Sequence, residues 1–439
     1  MIRFDCRNVS SLLHPVPKFH AGGRLRSARG VLTCQMSAAV GDQCAILRPD
    51  GESVLAEVIG FNNDLAYLLP YHHAETLEAD LPVLRLGRQL QIPAGSGVMG
   101  RVLNALGRPI DNRGPLVDWE PCSVQLSPPP PLKRSRIRTP FVTGIRVIDG
   151  LLTCGRGQRV GIFAGSGVGK STLLGEIAKA AESDVNVIAL IGERGREVVP
   201  FLEDCLGDRG LRRSIVIVAT CEESPLMRVR AATSAVALAD FYRRRGANVL
   251  LLMDSMTRLA MAQREIGILL GEPPSSRGYT PSVFQLLARV VESLGNSDQG
   301  GITALVTVLV DGDDFEEPIS DAVRSLVDGH VILDRKIAER GRFPAIDVLR
   351  SVSRVANDLV TPEHRAAAAK LRSIIATYNE VRDLIRIGAY VRGSSPVVDR
   401  ACDLMPAVER FLRQVINEHS PWEQTRQALI ELTSTWTEF

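Results

Sequence analysis

The segment VGIFAGSGVGKSTLL, residues 160 to 174, restricts the possible fold more than any other part of the chain. An apolar run from Arg159 to Phe163 has the character of a strand, and an apolar helical run opens near Thr172. Between them stand Ala164, Gly165, Ser166, Gly167, Val168, Gly169, Lys170 and Ser171, the spacing of a phosphate-binding loop in its required strand-to-helix context. A triphosphate needs many donors at close range. Glycines let backbone N–H groups face the phosphate oxygens, and the helix N-terminus adds the positive end of its dipole. The loop therefore predicts ATP contacts from Gly165 through Thr172. Lys170 is expected to reach the β and γ phosphates, and Ser171 to place its hydroxyl on Mg2+. Ala164 occupies the slot most often held by glycine, a small-for-small exchange that leaves the turn feasible.

A loop of this kind belongs to a parallel sheet covered by helices, and residues 135 to 350 have the matching pattern. Nearly continuous apolar runs at Arg159 to Phe163, Val185 to Ile191, Ser214 to Ala219, Val249 to Met253 and Thr303 to Leu309 read as strands buried on both faces. The run at Val249 ends in Asp254, a carboxylate suited to support the magnesium ion, through water or through the ion's outer contacts. Ser255 follows it instead of an acid, so the carboxylate that activates the attacking water has to come from another strand. Glu193, in IGERGRE, lies just past the run at Val185, and parallel strands bring their ends to one edge. It is the candidate general base, with Arg194 placed to sense the γ phosphate. A solvated loop glutamate is the competing reading. The transition state also needs positive charge, often an arginine from a neighbouring subunit. Arg354, in Ser351-Val352-Ser353-Arg354, is the candidate, although the bare tetrapeptide reads equally as a surface ion pair.

At 439 residues the chain exceeds what one core organises, and about 150 residues per domain suggests roughly three domains. Residues 1–92 carry short apolar runs (Val31 to Met36, Cys44 to Leu47, Val54 to Ile59, Ala66 to Leu69) separated by turn clusters such as Pro49-Asp50-Gly51. They predict a small antiparallel β-barrel. The glycine-rich stretch Gly95 to Leu116 and the run Pro128 to Pro131 mark a junction, so residues 93–360 form the expected α/β core. Thr361, Pro362 and Glu363 supply an N-cap, a first-position proline and a first-turn acid for a helical domain over residues 361–439. There Leu371, Ile374, Ile375, Tyr378, Val381, Leu384 and Ile385 repeat with helical period as a core-facing stripe. Arg372, Glu380, Arg382 and Asp383 fall off it.

Composition narrows the function class. Lys and Arg number 52 against 50 Asp and Glu, a formal charge of +2, too balanced for a chain whose main partner is a polyanion. Nucleic acid is not expected. The start, MIRFDCRNVSSLL, mixes Asp and Arg into apolar positions unlike a secretory leader, and a cytoplasmic address is expected. Eight cysteines without a C-x-x-C pair read as small apolar fillers in a reducing compartment. Basic clusters at Lys133 to Arg138 and Arg243 to Arg245 read as a linker and as cations at a helix C-terminus.

Taken together, the strings GLLTCGRGQRVGIFAGSGVGKSTLL, LIGERGREV, LLLMDSMTRLAMAQREIGILLGEPPSSRGYTPSVF, VLVDGDDFEEPISDAVRSLVDGHVILDRKIAERGRFPAID and SVSR resemble the type III secretion ATPase family, flagellar or injectisome. That family is similar to the catalytic subunit of rotary ATP synthases, and the match extends from about residue 95 to the C-terminus. The resemblance implies a homohexameric ring with sites between subunits, built from an N-terminal barrel, a RecA-like P-loop ATPase core and a C-terminal helical domain. Carried onto this chain, it makes Lys170 and Ser171 the phosphate and magnesium contacts, Asp254 the metal support and Glu193 the catalytic glutamate. Arg354 becomes an arginine finger acting in trans. Phe343 falls where the family usually has a tyrosine packed on the adenine ring, so stacking survives and a hydroxyl is lost. The implied partners are a stator-like regulator at the N-terminus, a coiled-coil central stalk, an export gate at the membrane and chaperone-bound substrates. The implied location is peripheral to the inner face of the cytoplasmic membrane. Ile2, Phe4, Val9, Leu12 and Leu13 could form the regulator-binding helix, or a frayed terminus. TCEESPLMRVRAA and GAYVRGSSPVVDRA lean toward a flagellar system. Two rivals are a non-hydrolysing nucleotide-binding ring subunit, which Glu193 argues against, and a hexameric RNA-dependent helicase, which the acidic residues around Tyr67 and Tyr71 argue against.

Overall fold

Alternating apolar positions between Leu32 and Leu69 give strands with one face buried, and in the computed structural model these strands close into a barrel. The structure describes residues 20–27, 31–73, 77–310 and 314–436, so the proposed regulator-binding start at Ile2 to Leu13 lies outside the described residues. The barrel strands are β1 (His20–Ser27), β2 (Leu32–Gln35), β3 (Asp42–Leu47), β4 (Ser53–Asn62), β5 (Leu65–Pro70) and β6 (Pro82–Gln89). They pair in the order β1-β2-β5-β4-β3-β6 and close on themselves. Leu25, Cys34, Ile46, Val58, Leu68 and Val83 fill the interior. The apolar pattern marks β2 to β5 but not β1 and β6. In β1, Gly22 stands where a Cβ would meet Val83 O at 1.9 Å, so close backbone approach replaces a hydrophobic signal. In β6, Pro82, Arg85 and Arg88 dilute the pattern. One compact unit runs to Leu90 and takes in Ile268–Glu272.

The second unit holds Gln91–Gly267 and Pro273–Phe439, and its centre is an open sheet. Its main strands are β7 (Val102–Asn104), β8 (Arg159–Ala164), β9 (Val185–Glu193), β10 (Ser214–Thr220), β11 (Asn248–Asp254), β12 (Gly301–Leu309), β13 (Gly329–Leu333) and β14 (Val352–Ser353). The spatial order is β14-β13-β8-β12-β11-β9-β10-β7, parallel throughout except for β14 against β13. All five strands marked by continuous apolar runs are present. β7 comes from the glycine-rich junction, and β13 is short and begins Gly329-His330, so neither shows as a long apolar run. The strand carrying Glu193 is not next to the loop strand, because β12 and β11 stand between them.

Helices cover the sheet. Those used below are α1 (Arg146–Leu151), α2 (Lys170–Ala180), α3 (Pro225–Arg243), α4 (Met256–Leu269), α5 (Pro362–Arg386), α6 (Pro396–Leu412) and α7 (Trp422–Thr433). One continuous apolar core joins Leu173, Ile188, Leu250 and Leu305 of the α/β layer to Leu371, Ile374, Met405, Phe411, Leu429 and Trp436 of the C-terminal helices. Burial on this scale, at about 25 cal/mol per Å2 of apolar surface, is the main force holding the helices to the sheet. α5 starts as its sequence dictates, with the Thr361 hydroxyl accepting from His364 N at 3.3 Å and Pro362 at the first helical position. Its stripe is buried at Leu371, Ile374 and Ile375 but surfaces at Leu384.

Both basic clusters are tied down locally. Arg134 pairs with Glu292 at 2.6 Å, and Arg243, buried near the end of α3, donates to Ser293 O and Gly295 O at 3.1 Å. Arg245 lies 3.5 Å above the Phe241 ring. Among the described residues no helix is long and apolar enough to cross a membrane.

Candidate nucleotide site

β8 delivers the chain to the carboxyl edge of the sheet at Ala164, which pairs with Leu309 and Leu333 on either side. Ala164 is still ordinary strand, so the absence of glycine there costs nothing. Positive φ falls instead on Gly167 (78°) and Gly169 (87°), where a side chain would be strained. Gly169 is the left-handed residue before α2, and neither a side-chain cap nor a first-turn acid competes for the first amides of that helix. Those amides are free to serve an anion. Ser166, Gly167 and Ser171 are exposed, Gly165, Gly169 and Thr172 are half-buried, and Val168 packs into the core beneath the loop.

Lys170 bends over the sheet edge and joins two carboxylates from different strands. Its Nζ donates to Asp254 Oδ1 at 2.6 Å and to Glu193 Oε1 at 3.4 Å. Asp254 also accepts from the Thr307 hydroxyl at 2.7 Å and is almost fully buried. Glu193 reaches this cluster because β9 is irregular. Pairing with β10 is regular to Ile191 and shifts before Glu193, with Gly192 at φ 67° in between. Such a bulge re-aims the side chain that follows it. A Cβ on Gly192 would stand 2.9 Å from Arg258 Cβ, so glycine also makes room for that arginine.

The electrostatics follow from this packing. Burial disfavours the Lys170 ammonium, but Asp254 and Glu193 together outweigh it and lift its pKa above the ordinary lysine value. Burial raises the Glu193 pKa; Lys170 opposes this, Asp254 adds to it, and Arg258 opposes it. Arg258, on α4, is a site residue that sequence reasoning missed. Its signal is its place in the strand-to-helix turn after Asp254, as Lys170 stands in the turn after β8. Arg335 is another, since a Cβ on Gly165 would lie 3.3 Å from its Nη2.

Beside the loop opens a cavity of about 770 Å3. Gly169 and Thr172 line one side, Phe343 and Pro344 another, and Val415 and Ile416 a third. The Phe343 ring sits over Gly169, 3.5 Å from where a Cβ would be. Val415 and Ile416 lie between α6 and α7 and are exposed, an apolar wall that no motif announces. Gln414 holds that wall in place. Its backbone N donates to Phe343 O at 2.9 Å, its Nε2 to Gly144 O at 2.8 Å, and its Oε1 accepts from Arg146 N at 2.8 Å. Asn417, the next residue after the wall, donates its N–H to Glu176 of α2 at 2.8 Å and accepts from Lys179 at 2.7 Å.

Two site arginines expected from the sequence are not part of this cluster. Arg194 is exposed and turns along its own helix to Glu197 at 3.8 Å. Arg354 follows edge strand β14, exposed, with its Nη2 3.4 Å from Arg324 O.

Comparison with known proteins agrees with this geometry. Residues 144–353 match the nucleotide-binding domain of the ATP synthase alpha/beta family, and residues 360–431 match the T3SS EscN ATPase C-terminal domain. The chain is 49% identical over 399 residues to a flagellum-specific ATP synthase of Bacillus subtilis, covering 90% of this chain and 91% of that one. It is 46% identical over 401 residues to a type 3 secretion system ATPase of Xanthomonas euvesicatoria, covering 91% and 90%. Relatives of both kinds thus match over nearly the same span. The structure of the assembled ATPase EscN from the enteropathogenic E. coli type III secretion system superposes with a TM-score of 0.89 at 41% identity, covering 94% of this chain and 100% of that one. EscN in complex with its central stalk EscO gives 0.87 at 40% identity, with the same coverage of 94% and 100%. Similarity of this extent makes the chain a member of the type III secretion ATPase family, an ATPase of type III protein export allied to the ATP synthase alpha/beta family.

Proposed function

We propose that the chain hydrolyses Mg-ATP at the carboxyl edge of its sheet, with Glu193 as the base that orients and deprotonates the attacking water. The observation that carries this reading is the junction of Lys170, Glu193 and Asp254, because no sequence rule requires residues from three elements to meet. Loop amides from Gly165 to Thr172 and Lys170 hold the phosphates, and Phe343, Val415 and Ile416 enclose the base. A magnesium ion, with Ser171 and Asp254 beside it, would neutralise charge between the phosphates. The donor set fits such an ion. Among the described residues no group of three or more His, Cys, Asp or Glu could hold a metal alone, so its ligands would be a hydroxyl, phosphate oxygens and water. Arg258 and Arg335 lie near enough to add positive charge, while Arg194 faces Glu197 outside the cluster.

The raised Glu193 pKa has a kinetic consequence. A base works only when deprotonated, so activity falls as pH drops through its pKa. The acid limb of the kcat/KM profile is expected above the ordinary carboxylate value of 4.5, and that limb is expected to vanish in Glu193→Gln. A limb at or below the ordinary value would remove Glu193 as the titrating base.

The assembled form of EscN and its complex with a central stalk support a homohexamer of this chain around a stalk protein. In such a ring, exposed Arg354 supplies charge to the neighbour's γ phosphate. The enzyme works in the cytoplasm at the membrane-bound export gate, with a regulator at its N-terminus and chaperone-bound substrates as cargo. The trans reading is tested by mixing Arg354→Ala subunits with Lys170→Ala subunits. Each variant alone should be nearly inactive, while mixtures regain activity at interfaces that combine two intact halves. Absence of recovery at every ratio would count against catalysis in trans.

A further inference from the structure

The helical period of α5 leaves Arg372 off the apolar stripe, yet its side chain turns inward. Its Nη1 donates to Val348 O at 2.6 Å and to Ser351 O at 3.4 Å, and its Nη2 donates to Leu151 O at 2.9 Å. All three acceptors are main-chain carbonyls. Burial pulls the Arg372 pKa below the ordinary arginine value, with no acidic neighbour offsetting it. A charge placed this way is expensive, whereas its planar fork can fix several carbonyls at once. Two of those carbonyls lie on the segment leading to Arg354, and the third ends α1.

That segment is pinned along its backbone. The Ser351 hydroxyl donates to Asp347 O and accepts from Ile332 N at 2.9 Å, while Val352 pairs with His330. The Ser353 hydroxyl donates to Thr153 O at 2.8 Å and accepts from Gln158 Nε2 at 3.1 Å, and Arg354 N donates to Asp328 O at 3.0 Å. On the α5 side, however, the segment borders a cavity of about 460 Å3 lined by Ser351, Val352, Ser353, His364, Arg365 and Arg372. Removing the guanidinium leaves space into which the segment can move.

We propose that Arg372 is a positioning residue for Arg354, a brace from the C-terminal helices that sets where the exposed guanidinium meets the neighbouring subunit. The inference rests on the trans reading of Arg354 and names what holds that arginine. A displacement of about 1 Å at a reacting centre can cost on the order of 100-fold in rate. Accordingly Arg372→Met should lower kcat about 10- to 100-fold and leave KM for ATP within about twofold. Passive support of the core would move both.

The decisive measurement uses full-length Arg372→Met, Arg354→Ala and the double variant. If Arg372 acts through Arg354, the double variant has the same kcat as Arg354→Ala. Mixed rings separate the two ideas. Arg372→Met should regain activity with Lys170→Ala, as Arg354→Ala does, and should regain none with Arg354→Ala, since both defects lie on the same half of an interface. Multiplicative losses in the double variant, or a raised KM with kcat intact, overturn the proposal. Recovery of Arg354→Ala but not of Arg372→Met with Lys170→Ala overturns it while sparing the trans reading. Recovery of neither sinks both. Arg372→Lys, which keeps the charge without the fork, should give a smaller kcat loss that also disappears in the Arg354→Ala background, and it decides the matter should Arg372→Met fail to fold.

Discussion

In Glu193→Gln protein, steady-state phosphate release is expected to fall on the order of 1,000-fold while nucleotide affinity stays within about threefold. The exchange is nearly isosteric, so the bulge at Gly192 and the packing of Arg258 are retained. Lys170 keeps its shorter contact, to Asp254 at 2.6 Å, and loses only the charge behind the longer one at 3.4 Å. Binding therefore persists while the group that takes the proton from water is gone. Phosphate release and the Kd of a fluorescent nucleotide separate the two effects. An unchanged rate would take Glu193 out of the mechanism and require another group to activate the attacking water.

Lys170→Ala is expected to reduce turnover to background, at least 100-fold, since it removes a preorganised charge from the phosphates. It should also destabilise the nucleotide-free protein, by about 3 kcal/mol, because two largely buried carboxylates lose the ammonium that joins them. The sign with pH is fixed. Without Lys170, burial and the nearby Asp254 hold Glu193 above its unfolded pKa with less to oppose them. Such groups cost stability at pH above the folded pKa and return it as pH falls through that value. The melting temperature of Lys170→Ala should thus approach wild type as pH falls toward the carboxylate range and lag further behind as pH rises above it. A deficit independent of pH would mean that the carboxylates do not face each other uncompensated.

How much of this was legible beforehand depended on whether the signal was local. The phosphate loop, the strand ending at Asp254 and the cap at Thr361 are written in consecutive residues, and the structure has them where the pattern puts them. Parallel-strand logic puts Glu193 on this edge of the sheet, but the bulge that turns it toward Lys170 depends on pairing with β10. The base pocket shows the opposite case. Phe343 could be found through resemblance, whereas Val415 and Ile416 lie more than 70 residues further on in a loop with no motif, and only the docking of Gln414 brings them to the site. Its period puts Arg372 off the apolar stripe, yet its guanidinium turns inward. Helical period gives the direction of a Cβ, and a long arginine can reverse that assignment by reaching back over its own helix.

The loop around Gln414 divides the labour of holding a nucleotide. In the proposed site, phosphate contacts would come from the sheet edge, which has strands on both sides to keep it still, while part of the wall around the base would be carried by the helical layer. Grip on the purine is therefore an adjustable quantity. Because Asn417 is bonded to Glu176 and Lys179 of α2, a displacement of α6 or α7 would reach the helix that opens at Lys170, and by reciprocity a purine filling the pocket would bias those helices. In the proposed site, the end of the ligand that does not react would be the one in touch with the C-terminal helices.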